Sequence, residues 1–168
     1  KSESDRKFTE DLKPFCKKIY IFKRPEKPWT LTNIIKTGIS NFPFLVIRNF
    51  SVTQKKEMPK IIDEGNFDLI HAETFYVSPH IPKTQIPIVL VDQTIEWQVY
   101  EHYVKNYTNS ALKPLLYIDV LKIKHWEKYY WQKAKRVVAV SEKDEELMGK
   151  SVGKDKVRLV PNGVGEDL

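Results

Sequence analysis

Two short segments of this chain, Pro87-Ile-Val-Leu-Val-Asp92 and Arg136-Val-Val-Ala-Val140, are apolar at nearly every position. A strand with one wet face alternates apolar and polar residues. A strand that is apolar throughout is covered on both faces, and in a parallel sheet helices provide the cover. Phe67-Asp-Leu-Ile-His-Ala72 reads as a strand before this pair and Val157-Arg-Leu-Val160 as one after it, with helical patterns between them. The spacing predicts an α/β fold: a Rossmann-like, mostly parallel sheet with helices on both faces. A chain of 168 residues can bury a sizeable core, and a single domain over 1–168 is the expected organisation.

Around this frame, Lys1 to Cys16 reads as a helix with Phe8, Leu12 and Phe15 on one face, and the alternating Lys18–Lys23 reads as a strand. Arg24 to Pro28 is a loop. Thr30 to Ser40 reads as a helix with Leu31, Ile34 and Ile35 together, ended by Asn41-Phe-Pro-Phe44. Ser51-Val-Thr-Gln54 fits a capping box opening a helix that stops at Gly65-Asn66; Pro59 inside it predicts a kink or a late start. After Asp92 a helical tract breaks around Asn106 to Pro114, and Leu115 to Ala134 reads as a helix of about five turns. Ser141 caps a short helix with Glu142, Asp144 and Glu145 in its first turn.

Composition excludes several classes. The single cysteine, Cys16, leaves no internal disulfide and no Cys-rich zinc site, and His80, His102 and His125 lack metal-ligand spacing, so no metal is expected. The apolar runs fall far short of the about 20 residues that span a bilayer. The charged opening does not resemble a signal peptide, which makes the cytoplasm the default location. Net charge is +6; residues 1–84 hold 15 Lys and Arg against 10 Asp and Glu, and residues 85–168 hold 13 against 12. That excess attracts anions without naming one. No run of five basic residues occurs, which argues against a nucleic-acid partner. Neither G-x-G-x-x-G nor G-x-x-x-x-G-K-[ST] occurs, so no bound nucleotide cofactor is expected.

Ligands of open parallel sheets sit beyond the carboxyl ends of the strands. That rule selects His71 and Glu73, which share a face two residues apart; Asp92, Gln93 and Thr94 with Glu96 just beyond; Ser141; and Asn162 with Gly163. Each has a plainer reading. His71 is also a hydrogen-bonded strand-end histidine, Asp92 or Thr94 a helix cap, and Ser141 a cap that can equally hold a hydroxyl or phosphate. The Leu115 to Ala134 helix mixes Lys122, Lys124, Lys128 and Lys133 with Trp126, Tyr129, Tyr130 and Trp131. That mixture reads either as packing against the sheet or as a peripheral membrane contact.

Val137-Val-Ala-Val-Ser-Glu-Lys-Asp-Glu-Glu-Leu147 and Val157-Arg-Leu-Val-Pro-Asn-Gly-Val164 resemble the end of the N-terminal domain of group 1 (family 4) retaining glycosyltransferases of GT-B architecture. Phe67 to Glu73 is similar to that family's "FD-(I/V)-(I/V)-H-x-(H/E)" strand, and Pro87 to Glu96 to its "P-x-V-x-(T/D/E)-x-H-x-x-E" strand. Residues 1–66 match only in layout. The resemblance implies a sugar transferred with retention from a nucleotide-sugar donor, the co-substrate, to a carbohydrate or lipid-linked acceptor. It implies that His71, Glu73, Gln93, Thr94, Glu96 and Ser141 line the acceptor-side cleft, and that Asn162 and Gly163 form the interdomain turn. Members begin with a strand, a Gly-rich loop and a helix and end with a donor domain carrying an E-x7-E motif. None of these is found here, so the chain is expected to be a partial N-terminal domain, inactive alone. The family often has His at the position of Gln93, whose amide cannot act as a base near neutral pH. It often has Asp at the position of Gly165. No catalytic residue is assigned. The competing reading is a non-catalytic α/β module that binds an anionic ligand, a protein partner or a membrane surface.

Overall fold

The fold is described from a computed structural model over residues 8–24 and 27–163. In chain order it forms α1 (Phe8–Leu12), α2 (Leu31–Ile39), α3 (Phe44–Asn49), α4 (Val52–Gly65), β1 (Ile70–Glu73), β2 (Ile88–Asp92), α5 (Glu96–Lys105), α6 (Lys113–Lys133), β3 (Arg136–Ala139), α7 (Glu142–Val152) and β4 (Val157–Leu159). Short 3-10 helices cover Phe75–His80 and Lys154–Lys156. The four strands make one parallel sheet in the order β1-β2-β3-β4. Register pairs Ala72 with Leu90, Leu90 with Val137, and Val137 with Val157.

The apolar strands are central, as their composition requires. Three successive β2 residues, Leu90, Val91 and Asp92, are buried, and successive side chains point to opposite faces, so both faces are covered there. Leu90, Val137 and Val157 pack with Phe75, Ile123, Trp131 and Met148 in one core. On α6 the buried residues Val120, Ile123, Glu127 and Trp131 fall three to four apart and form the stripe facing the sheet. Packing thus accounts for Trp131, while Tyr129 stays partly exposed.

Several expectations need correction. Lys18–Lys23 is not a strand. A strand is stable only with a paired neighbour, and this segment joins neither edge of the sheet; Ile19 and Phe22 are half-buried while Tyr20 and Ile21 face solvent. The opening helix covers only Phe8–Leu12 among the described residues, residues 1–7 lying outside them, and Leu12 and Phe15 are exposed. Pro14 has no N–H with which to continue the helix. The loop at 24–28 contains residues 25 and 26, also outside the described residues. The apolar run Phe42 to Ile47 carries an unexpected helix, α3, whose Phe44, Leu45 and Val46 are buried. A short run apolar all round has no periodicity to reveal its type.

The capping box is half right. Ser51 caps α4, its hydroxyl accepting from the Gln54 N–H, and Asn66 closes the helix in the left-handed conformation (φ 47°). Despite Pro59 the helix starts at Val52. Gln54 does not reach back. The Ser51 N–H instead donates to Nε2 of His80 at 2.9 Å, and His80 Nδ1 lies 2.9 Å from the Val77 carbonyl. This pattern fixes the neutral tautomer with its proton on Nδ1. Burial holds the imidazole below its usual 6.5, with Lys55 adding to the effect and the Val77 bond opposing it. The stability this histidine contributes is therefore present above 6.5 and lost as pH falls through the lowered folded value. His80→Phe is expected to cost about 1–3 kcal/mol by leaving the Ser51 N–H unpaired. It should also flatten the acid limb of a plot of unfolding free energy against pH.

Candidate functional site

The carboxyl ends of β1 and β2 lie side by side, Glu73 paired in register with Val91. On β1 the alternation predicted from sequence holds: Ala72 is buried, and His71 and Glu73 share the exposed face with His71 Nε2 4.0 Å from Glu73 Oε1. Gln93, one residue past β2, donates from Nε2 to Glu73 Oε1 at 3.5 Å. An imidazole, a carboxylate and an amide thus meet at the rim of the sheet. Together they offer donors and acceptors for hydroxyl groups.

Beneath this rim lies a buried acid pair. Asp92 accepts hydrogen bonds from the Phe75 N–H at 2.8 Å and from the Trp131 indole N–H. Glu127, fully buried on α6, accepts from the N–H groups of Glu96 at 2.8 Å and Trp97 at 3.3 Å. Neither Asp92 nor Thr94 caps α5. The cap position is Ile95, which has no capping side chain, so Glu127 supplies from another helix the hydrogen-bond acceptor that the α5 N-terminus lacks. Burial pushes the Asp92 carboxyl up to about 7 against the pull of its Trp131 and Phe75 hydrogen bonds. Burial, and then the charge of Asp92, push Glu127 up to about 9.

Thr74 joins β1 to the 3-10 turn at φ 69°, ψ 142°, a conformation a β-branched residue rarely adopts. Holding it costs about 1–3 kcal/mol. Its N–H bonds to the Val91 carbonyl at 2.7 Å, which pins the strained residue to the end of β2.

The other candidates lie around this centre. Thr94 is exposed beside Gln93 in the chain. Glu96 is half-buried on the first turn of α5, its carboxyl pushed up by burial against the opposing charge of Arg48. Ser141 is a true cap: its hydroxyl accepts from the Asp144 N–H at 3.2 Å and donates to the Asp144 carboxylate at 2.7 Å. Asn162 and Gly163 are exposed and irregular beyond β4, and the residues that follow, Val164 and Gly165 included, lie outside the described ones. A cavity of about 530 Å³ sits at the opposite end of β2, between Ile88, Pro79 and Trp126, and none of the candidates lines it.

Sequence reasoning missed Glu127 and Thr74. Glu127 had a signal: it occupies an apolar-stripe position in phase with Val120, Ile123 and Trp131, where a charge needs a partner. Thr74 had none, because nothing in a Glu-Thr-Phe sequence announces a positive φ.

A parallel α/β sheet with polar groups gathered at its carboxyl rim defines a Rossmann-like fold. The chain belongs to Glycosyltransferase Family 4, whose family model matches residues 18–168. That match includes residues 18–66, where sequence motifs agreed only in layout. No curated protein matches the chain.

Proposed function

We propose that this chain is the acceptor-side half of a glycosyltransferase that moves a hexosyl group from a nucleotide sugar to a carbohydrate or lipid-linked acceptor in the cytoplasm, with retention of configuration. The observation that carries this reading is the exposed His71, Glu73 and Gln93 cluster, built on adjacent strand ends in a chain of this family. Glu73 accepts from an acceptor hydroxyl, and Gln93 both donates and accepts. Neither Gln93 nor a buried, hydrogen-bonded Asp92 removes the acceptor proton in this reading; the chain's groups bind and orient. Stabilisation of the leaving diphosphate falls to a donor-binding domain in cis, which carries the E-x7-E motif absent from these 168 residues.

Incubating the full-length parent with a panel of nucleotide sugars tests this reading through donor consumption. Consumption that rises with an acceptor supports the reading, and none across the panel overturns it. In the active parent, Glu73→Gln and Gln93→Ala are each expected to lower kcat/KM for acceptor roughly tenfold, the worth of one hydrogen bond to a charged or well-placed group. The 168-residue chain alone is expected to transfer nothing.

A further inference from the structure

The basic and aromatic residues in the second half of α6 wall the cavity at the start of β2. Its volume is about 530 Å³. Packed interiors hold few voids larger than a water molecule, and small-ligand sites begin at about 300 Å³. Trp126, Tyr129 and Tyr130 line it together with Phe42. Trp126 stacks on Phe42 with ring centroids 4.4 Å apart, and Tyr129 meets it edge-on at 5.2 Å. The indole is fixed by its own hydrogen bond, Nε1 donating to the Asn41 carbonyl at 2.8 Å. An aromatic wall held in this way is formed before any ligand arrives.

Charge narrows the choice of occupant. Lys55, Lys83 and Lys133 line the same cavity, and no Asp or Glu among the described residues does. Two of the ammonium groups are fixed against its wall. Lys55 Nζ donates to the carbonyl of the lining residue Pro79 at 2.8 Å, and Lys133 Nζ lies 5.5 Å from the Tyr129 ring centroid. None of the three lysines pairs with a carboxylate among the described residues. Three cations without a counter-charge repel a cationic guest and gain nothing from a neutral one. A flat ring carrying a negative charge suits both parts, its ring against the aromatic wall and its charge among the lysines. We propose that this cavity is a binding site for a small aromatic anion, a ring system bearing a carboxylate or a phosphate. Ile88 of the cavity and Gln93 of the acceptor rim lie at opposite ends of the five-residue strand β2, roughly 15 Å apart. The proposal stands independently of the sugar-transfer reading.

Two-dimensional proton–nitrogen NMR of the 168-residue chain tests it. The probes are naphthoate, its neutral counterpart naphthylmethanol, and adenosine monophosphate. The Trp126 indole signal, assigned with Trp126→Phe, is expected to move saturably with an anion, and naphthylmethanol is expected to bind roughly tenfold more weakly than naphthoate. Lys83→Glu combined with Lys133→Glu is expected to raise the Kd of the anion roughly tenfold or more. Both lysines are exposed, so the fold should persist, which far-ultraviolet circular dichroism checks. Tighter binding of naphthoate gives the site to aryl carboxylates, and tighter binding of the monophosphate gives it to nucleotides; either supports the proposal. Trp29, 72% exposed, leads into α2, whose Leu31, Ile35 and Ile39 face solvent, and its indole signal is the control for adventitious binding there. A Trp126 signal that stays still under both anions overturns the proposal, as do equal binding of naphthylmethanol and indifference to the lysine pair. Movement of the Trp29 signal alone gives the binding to the α2 surface and overturns it equally.

Discussion

Replacing Glu127 by alanine is expected to lower the unfolding free energy by about 3–4 kcal/mol. Two backbone donors at the start of α5, Glu96 N–H and Trp97 N–H, have this carboxylate as their acceptor. Alanine leaves both without it and opens a void in a fully buried position. Against a total stability of about 5–15 kcal/mol, that is a large fraction. Glu127→Gln keeps the volume and one acceptor oxygen but turns an amide N–H toward one of the donors, so about 1–2 kcal/mol is expected. The pH profile separates the two roles of the acid. The folded value of Glu127 is raised from 4.5 to about 9, and that of Asp92 from 3.8 to about 7. A group raised on folding contributes stability that is full below its unfolded value and is lost as pH rises through the folded one. The contribution of these two acids should therefore weaken from about pH 4 towards pH 9, against the opposite contribution of His80 below 6.5, and Glu127→Gln should shorten that decline at its alkaline end. Urea unfolding across this range measures both; a wild-type profile that does not fall between pH 7 and pH 9 would contradict the buried pair.

Trp131→Ala is expected to cost about 3–5 kcal/mol. The ring is fully buried in the core beside Leu90, Ile123 and Val137 and is the largest side chain to be so. Trp131→Phe isolates the polar share. It keeps most of the packing and deletes the indole N–H donated to Asp92. The expected cost is about 1–3 kcal/mol, and the Asp92 titration should move further up, because the donor that favours its anion is gone. Denaturant midpoints at neutral pH, with carboxyl titration followed by NMR or infrared, test both. A Phe variant as unstable as the Ala variant would show that the hydrogen bond, not the volume, dominates.

What the sequence made legible follows from how each element is stabilised. Strands β2 and β3 declared themselves because burial on both faces demands continuous apolar residues, and Ser51 and Ser141 because a cap is a local device. His71 and Glu73 fell on one face because strand alternation is fixed by geometry. The Lys18–Lys23 segment was misread because alternation alone does not provide a partner. The orientation of α2 was invisible for the same reason: periodicity locates an apolar stripe but not which way it turns. Glu127 caps a helix about thirty residues away in the chain, and its role became readable only once α5 and α6 lay together.

The strands stack in the order in which they occur in the chain, so a ribosome delivers each one next to its predecessor. The β1–β2 pair can form while α6 is still unmade. At that stage Asp92 has neither the Trp131 indole nor Glu127 near it and stays hydrated and charged. Emergence of α6 then brings Asp92 its indole donor, gives α5 its cap, and delivers β3 directly behind it. A nascent chain halted before Trp131 should thus hold a wet half-sheet, and one halted after Ala139 a dry one.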